Sequence, residues 1–311
     1  MGHKRSVQAQ QGFNLVTAAS REGPILRSPA FFLGVTLLLL VSACASSDAG
    51  SDLPPKQHKE VIMQSQCTDY LGASLHYQTG GKADAPVLVL LHGGFGSIDD
   101  FAALLPRLQE HFRLIAIDTR GHGRSTLGQA PLSYAQIADD TRHILNTLGI
   151  ARFALFGFSD GGTAAYRIGA ADPGVEKIIT VGAHWHYDNL RDLHAMFGQI
   201  TVDFVRENMP QQAAAYEAQN PEADLNQLTG RLQAMWLDNS TSAYPNETIS
   251  RIGAPVLAIR GEDDFLLSLP DLAALKKHLP EAHLLNIPFA SHEAIREEPD
   301  MLWAAIMAFY R

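Results

Sequence analysis

From about residue 60 onward, short apolar runs alternate with longer stretches in which apolar positions recur every three or four residues. The short runs fall at residues 87–91, 114–117, 153–156, 177–181, 256–259 and 284–287. Most are continuously apolar, as strands buried on both faces must be. Such an alternation predicts an α/β fold, a mostly parallel central sheet flanked by helices. Ahead of it, residues 62–70 and 74–78, joined around Leu71, Gly72 and Ala73, read as an antiparallel hairpin.

The interval between the strand ending at Val181 and the one beginning at Val256 is far longer than a crossover helix needs. A small helical lid, at about residues 185–248, is expected there, after the sixth strand. Residues 201–209 and 224–237 carry its helical pattern. In the second, Leu225, Leu228, Leu232 and Trp236 recur at spacings of three and four, a stripe best read as core packing. No internal repeat or coiled-coil heptad is present.

The apolar pattern at the amino terminus is different. Residues 30–40 form an uncharged run preceded by Lys4, Arg5, Arg21 and Arg27, too short to span a bilayer comfortably. A basic flank, a short apolar core and a small-residue exit read as a secretory signal. The exit, Val41-Ser42-Ala43-Cys44, resembles the lipobox of bacterial lipoproteins. That resemblance implies cleavage after residue 43, a lipid on Cys44, attachment to a membrane, and, with Ala45 next, the outer membrane facing the periplasm. Residues 44–59 are small, polar and proline-containing and read as a flexible tether, leaving 60–311 as one α/β domain.

The remaining cysteine, Cys67, is then an unpaired thiol in an early strand, and no disulfide is expected. The formal charge of -9 becomes about -12 once residues 1–43 are removed. With no basic run, nucleic acid is excluded as a partner, and an anionic membrane surface would repel the body, so attachment must come from the lipid. The sequence carries no signal for oligomeric state.

Gly157-Phe158-Ser159-Asp160-Gly161 is the one GxSxG in the chain. It directly follows the apolar run at 153–156 and opens a helix-compatible stretch, the strand, sharp turn and helix that expose a nucleophilic serine. Here the sequence resembles the α/β-hydrolase fold family. The resemblance implies an acid after a late strand and a base one strand further on. Gly261-Glu262-Asp263-Asp264 supplies Asp264, with Glu262 and Asp263 as alternatives, and Ala290-Ser291-His292 supplies His292.

Leu91-His92-Gly93-Gly94-Phe95-Gly96 stands where the family's oxyanion loop stands. The backbone N–H of Asp160 and that of Gly94, with Phe95 the second choice, are the expected oxyanion donors. His92 and the Asp118-Thr119-Arg120-Gly121-His122-Gly123 turn are expected to be structural. The mechanism implied is serine hydrolysis of a small ester, lactone or related carbonyl substrate through an acyl-enzyme, without cofactor or metal. Carbon–carbon bond hydrolysis and aminopeptidase or amino-acid-ester hydrolysis are enzyme alternatives. A noncatalytic ligand-binding lipoprotein on the same fold is the alternative from another class.

Asp160 admits two readings. One is a carboxylate favoured by a helix amino terminus; the other is a counter-charge for a cationic substrate, as in the amino-acid-ester hydrolases that Gly-Phe-Ser-Asp-Gly-Gly resembles. The first is the simpler and is preferred. His184-Trp185-His186-Tyr187 has an HxH spacing but no accompanying ligand cluster, so it reads as a hinge into the lid, not a metal site. Phe158, Trp185 and Tyr187 are candidate pocket residues.

Overall fold

The computed structural model describes residues 63–311; the expectations for the signal segment, Cys44, the whole tether at 44–59 and residue 62 of the hairpin lie outside the described residues. Eight strands form one sheet: β1 (Met63–Tyr70), β2 (Ala73–Gly81), β3 (Val87–Leu91), β4 (Arg113–Ile117), β5 (Phe153–Phe158), β6 (Val175–Val181), β7 (Val256–Gly261) and β8 (His283–Ile287). Their order is β1-β2-β4-β3-β5-β6-β7-β8. The β1/β2 and β2/β4 pairs are antiparallel, and every other pair is parallel. The hairpin and six parallel-type strands of the sequence pattern are all present.

Among the described residues the α-helical segments are α1 (Leu105–Leu108), α2 (Tyr134–Thr147), α3 (Asp160–Ala171), α4 (His194–Phe197), α5 (Val202–Asn208), α6 (Pro210–Gln219), α7 (Leu225–Trp236), α8 (Leu269–Ala274), α9 (Ala294–Glu297) and α10 (Pro299–Phe309). The continuous apolarity of the inner strands has a direct cause. Val89 and Leu91 of β3 join the core under α2 and α3, while Leu88 and Leu90 join the opposite core under α1 and α10. Side chains alternate across a strand, so a strand covered on both sides must be apolar at every position.

β8 departs from that expectation. It is the edge strand, and His283 and Leu284 are exposed, with only Ile287 fully buried. Its apolar residues extend beyond the covered part of the sheet.

Residues 182–255 form the helical insertion between β6 and β7, with α4 to α7 inside it. Leu225, Leu228, Leu232 and Trp236 are buried, as the stripe requires. The helix expected at 201–209 is shorter, and α6 follows at once, capped by Met209 with Pro210 at its start. Proline fits a first turn because its missing N–H has no helical acceptor there. α6 was not anticipated because its one buried pair, Ala213 and Tyr216, leaves no apolar stripe to detect.

Candidate active site

The site lies at the carboxyl ends of β3, β5, β6, β7 and β8. Ser159 directly follows β5 and caps α3 with φ +51°, a positive-φ conformation that costs a non-glycine residue about 1 kcal/mol or more. Its neighbours show why the turn needs glycine. A Cβ on Gly157 would lie 2.3 Å from the Gly161 carbonyl oxygen, and one on Gly161 would lie 2.1 Å from that of Leu91. The Ser159 N–H donates to the Val181 carbonyl, which pins the turn to β6.

Ser159, His292 and Asp264 are brought together although they are far apart in sequence. His292 Nε2 lies 3.0 Å from Ser159 Oγ, and His292 Nδ1 lies 3.0 Å from both Asp264 oxygens. Asp264 Oδ1 also accepts the N–H groups of Leu266 and Leu267. Burial alone would raise the Asp264 carboxyl. The His292 hydrogen bond and charge, with the two backbone donors, more than offset that and hold it below its ordinary value. The carboxylate therefore stays ionised and fixes the ring with its Nδ1 proton facing Asp264 and Nε2 free to accept from Ser159. The alternatives Glu262 and Asp263 make no hydrogen bond or ion pair with His292; the Glu262 carboxylate accepts from the Phe289 N–H instead.

Gly182, just past β6, is a site residue that motif reading missed. It has φ +62°, and a Cβ there would lie 2.8 Å from His292 Cε1 and 3.3 Å from Asp264 Oδ2. The imidazole is packed directly on a bare backbone. The signal was a glycine ending an apolar strand beside the elbow strand.

The Gly93–Ser97 loop packs on the serine: a Cβ on Gly93 would lie 3.2 Å from Ser159 Cβ. Among the described residues, the N–H groups of Gly94, Phe95 and Asp160 have no acceptor, whereas the Gly93 N–H is given to Asp100 and the Gly96 N–H to Gly93. Unengaged donors beside a nucleophile are suited to a developing oxyanion. His92 Nδ1 donates to the Gly93 carbonyl and Nε2 accepts from the Thr119 N–H, so both ring nitrogens hold the loop. Asp118 accepts from the Ile98 and Arg124 N–H groups, and Arg120 makes a buried two-pronged pair with Asp140. These contacts agree with structural roles for both segments.

Asp160 is more than a charge at a helix end. Its buried carboxylate accepts from Tyr134 Oη at 2.7 Å and from Trp236 Nε1 at 2.9 Å. Burial raises it above the ordinary carboxylate value, with the Tyr134 and Trp236 hydrogen bonds opposing. A Cβ on Gly94 would lie 2.6 Å from Asp160 Oδ2 and 3.0 Å from the Trp236 ring. The insertion, α2 and the oxyanion-type loop thus meet at one carboxylate. Neither Tyr134 nor Trp236 was singled out for this, because an apolar stripe hides the one indole N–H that leaves it.

The HxH rings go to different places. His186 Nδ1 accepts from the Asp188 N–H and Nε2 contacts Glu247. His184 is buried near His292 and Asp264, and burial first, then the nearby His292, push it down to about 4, so it is neutral at pH 7. Trp185 is buried and gives its indole N–H to the Asp271 carbonyl, while Tyr187 stacks on His194. Both pack in the hinge. Phe158 is buried with its ring 5.4 Å from that of His292, a wall behind the base.

Comparison with known proteins agrees with this architecture. Residues 86–235 match the family model described as the alpha/beta hydrolase fold. The chain is 27% identical over 263 residues to a pimeloyl-[acyl-carrier protein] methyl ester esterase of Pectobacterium atrosepticum, covering 76% of this chain and 98% of the other. It is 24% identical over 247 residues to a 2-(acetamidomethylene)succinate hydrolase of Mesorhizobium japonicum, covering 73% and 89%. An enol-lactonase from Burkholderia xenovorans superposes with a TM-score of 0.63 at 22% identity, covering 79% of this chain and 99% of that one. The chain has the α/β-hydrolase fold, resembles that family over residues 86–235, and is a hydrolase.

Proposed function

We propose that the protein is a serine esterase or lactonase working through Ser159, His292 and Asp264. The observation that carries this is the unbroken chain Ser159 Oγ, His292 Nε2, His292 Nδ1, Asp264, with unengaged N–H groups beside the serine. His292 takes the Ser159 proton as Oγ attacks the substrate carbonyl, and Asp264 stabilises the imidazolium. The oxyanion is held by the Asp160 N–H and an N–H of the Gly94–Phe95 segment. The proton passes to the leaving oxygen, and water then releases the acyl group by the same path. The ester-hydrolysing relatives support a carboxylic ester as the bond cleaved. The helical insertion acts as the lid, tied to the site through Trp236 and Asp160.

The same reading has the protein exported and anchored by lipid at Cys44. It is supported by the apolar run and exit residues of the sequence. A palmitate probe is expected to label the chain in a bacterial host and to be lost in Cys44→Ser.

A fluorophosphonate probe tests the chemistry. The wild type is expected to label at Ser159 and hydrolyse short-chain esters, and Ser159→Ala is expected to lose both. Folded wild type that neither labels nor exceeds Ser159→Ala on an ester and lactone panel would overturn the reading.

A further inference from the structure

Asp100 lies in the short helical turn at Ile98–Phe101 that follows the Gly93–Ser97 loop, and its carboxylate is buried. Its donors come from two places. Oδ2 accepts the Gly93 N–H at 3.2 Å and Oδ1 the Ser97 N–H at 3.4 Å, so one carboxylate holds both ends of the loop. A Cβ on Gly96 would lie 2.3 Å from Oδ2, a measure of how closely the loop wraps that group. The third donor comes from beyond the base: Arg296 Nη2 donates to Oδ1 at 2.7 Å.

Arg296 belongs to α9, the single turn that begins two residues after His292. The same turn is fastened to the base loop. Glu297 accepts from the Ser291 N–H at 2.7 Å and from Ser291 Oγ at 2.8 Å, and Ser291 is the residue before His292. Between the two attachments lies the Phe158 ring, 5.4 Å from the His292 ring and 5.9 Å from the Arg296 guanidinium. With adjacent side chains, α9 therefore grips the base loop and the Gly93–Ser97 loop around the residue that precedes Ser159.

That loop needs a restraint. Phe95 has φ +55°, a conformation that a non-glycine residue keeps only where its surroundings impose it. By engaging the N–H groups of Gly93 and Ser97, Asp100 also decides which amides stay free beside the serine, those of Gly94 and Phe95. Arg296 balances the buried carboxylate. Without it, two long backbone hydrogen bonds would be left to hold a buried charge, and such a charge strongly favours moving toward solvent.

We propose that Arg296 and Asp100 are positioning residues for the oxyanion site, their ion pair setting the Gly94–Phe95 amides in place relative to His292. This rests on the Ser159 hydrolase reading. Neither side chain touches substrate; the gain is made in the transition state, where charge builds on the carbonyl oxygen.

Arg296→Met removes the charge and keeps an unbranched stem against Phe158. On a short-chain ester it is expected to lower kcat about ten- to a hundredfold with KM within about twofold, because misplaced donors are felt in the transition state. Arg296→Lys should restore part of the loss, and Asp100→Asn/Arg296→Met should be no slower than the slower single variant, as for a pair acting as a unit. The Ki of an alkyl trifluoromethyl ketone, whose adduct with Ser159 carries an oxyanion, should rise in step with the fall in kcat/KM, which a loss of stability alone would not produce. Arg107→Met, which removes the pair with Asp300 on α10, is the control and should change neither. Wild-type kcat and Ki in folded Arg296→Met, or losses that multiply in the double variant, would overturn the proposal. A further readout needs no turnover: amide hydrogen exchange over residues 93–101 should be at least about threefold faster in Ser159→Ala/Arg296→Met than in Ser159→Ala. Unchanged exchange counts against the ion pair's role alone, whereas absence of fluorophosphonate labelling with the exchange difference intact counts against the hydrolase reading alone.

Discussion

The two sides of Ser159 are built by different means. On the sheet side, the elbow, the Asp264 turn and the His292 loop each follow a strand end, and backbone clearances set by Gly157, Gly161 and Gly182 fix them. On the insertion side, a single buried carboxylate, Asp160, holds Trp236 of α7 and Tyr134 of α2. The first side is held by covalent connection and steric necessity, the second by two hydrogen bonds. Damage to the sheet side should abolish chemistry in a folded protein; damage to the insertion side should loosen the site and change stability more than chemistry.

The largest contrast comes from Asp264→Asn. The strands remain, but the imidazole loses the partner that selects its tautomer, so kcat on a short-chain ester is expected to fall by about 10³ to 10⁴. Gly182→Ala tests the same side sterically. Its methyl would sit 2.8 Å from the His292 ring at a backbone with φ +62°, and a shifted ring should lower kcat by about ten- to a hundredfold. Gly230, with open space around its Cβ position, is the control, and Gly230→Ala should leave kcat unchanged. Trp236→Phe tests the other side. It leaves the buried Asp160 with Tyr134 alone, at a cost of about 1 to 3 kcal/mol. It should lower Tm by several degrees with only a few-fold loss of kcat; a loss as large as that of Asp264→Asn would erase the distinction between the two sides.

The smallest effect is a difference in pH dependence. Asp264 is held below its ordinary value in the fold, so its contribution to stability is present above the unfolded carboxyl value of about 3.9 and is lost as pH falls through the lower folded value. Asp160 is raised by burial, so stability falls as pH rises from that unfolded value through the raised folded one. In urea titrations, Asp160→Asn should remove the fall with rising pH, and Asp264→Asn should remove the loss in acid.

The contrast also explains what the sequence made legible. Strands sandwiched between helices cannot avoid continuous apolarity, and the Ser159 turn cannot avoid its glycines, so both leave a local imprint. Asp264 and His292 follow from strand order once the elbow is recognised. The Asp160 contacts with Tyr134 and Trp236 join residues 26 and 76 positions apart through one side-chain atom each, and no periodicity records that. α6 was missed for a related reason: its polar face looks into a cleft, so the apolar stripe that betrays a packed helix is absent.

Cys67 stands exposed on β1, at the opposite edge of the sheet from β8. A thiol there reacts without unfolding and without touching the site. Counting reactive thiols on the protein made in a bacterial host therefore doubles as an assay of the proposed lipid anchor: one per chain if Cys44 is blocked by lipid, two if Cys44 is retained and free. The same thiol is a single attachment point for a fluorophore or a solid support that leaves the strand ends around Ser159 open to substrate.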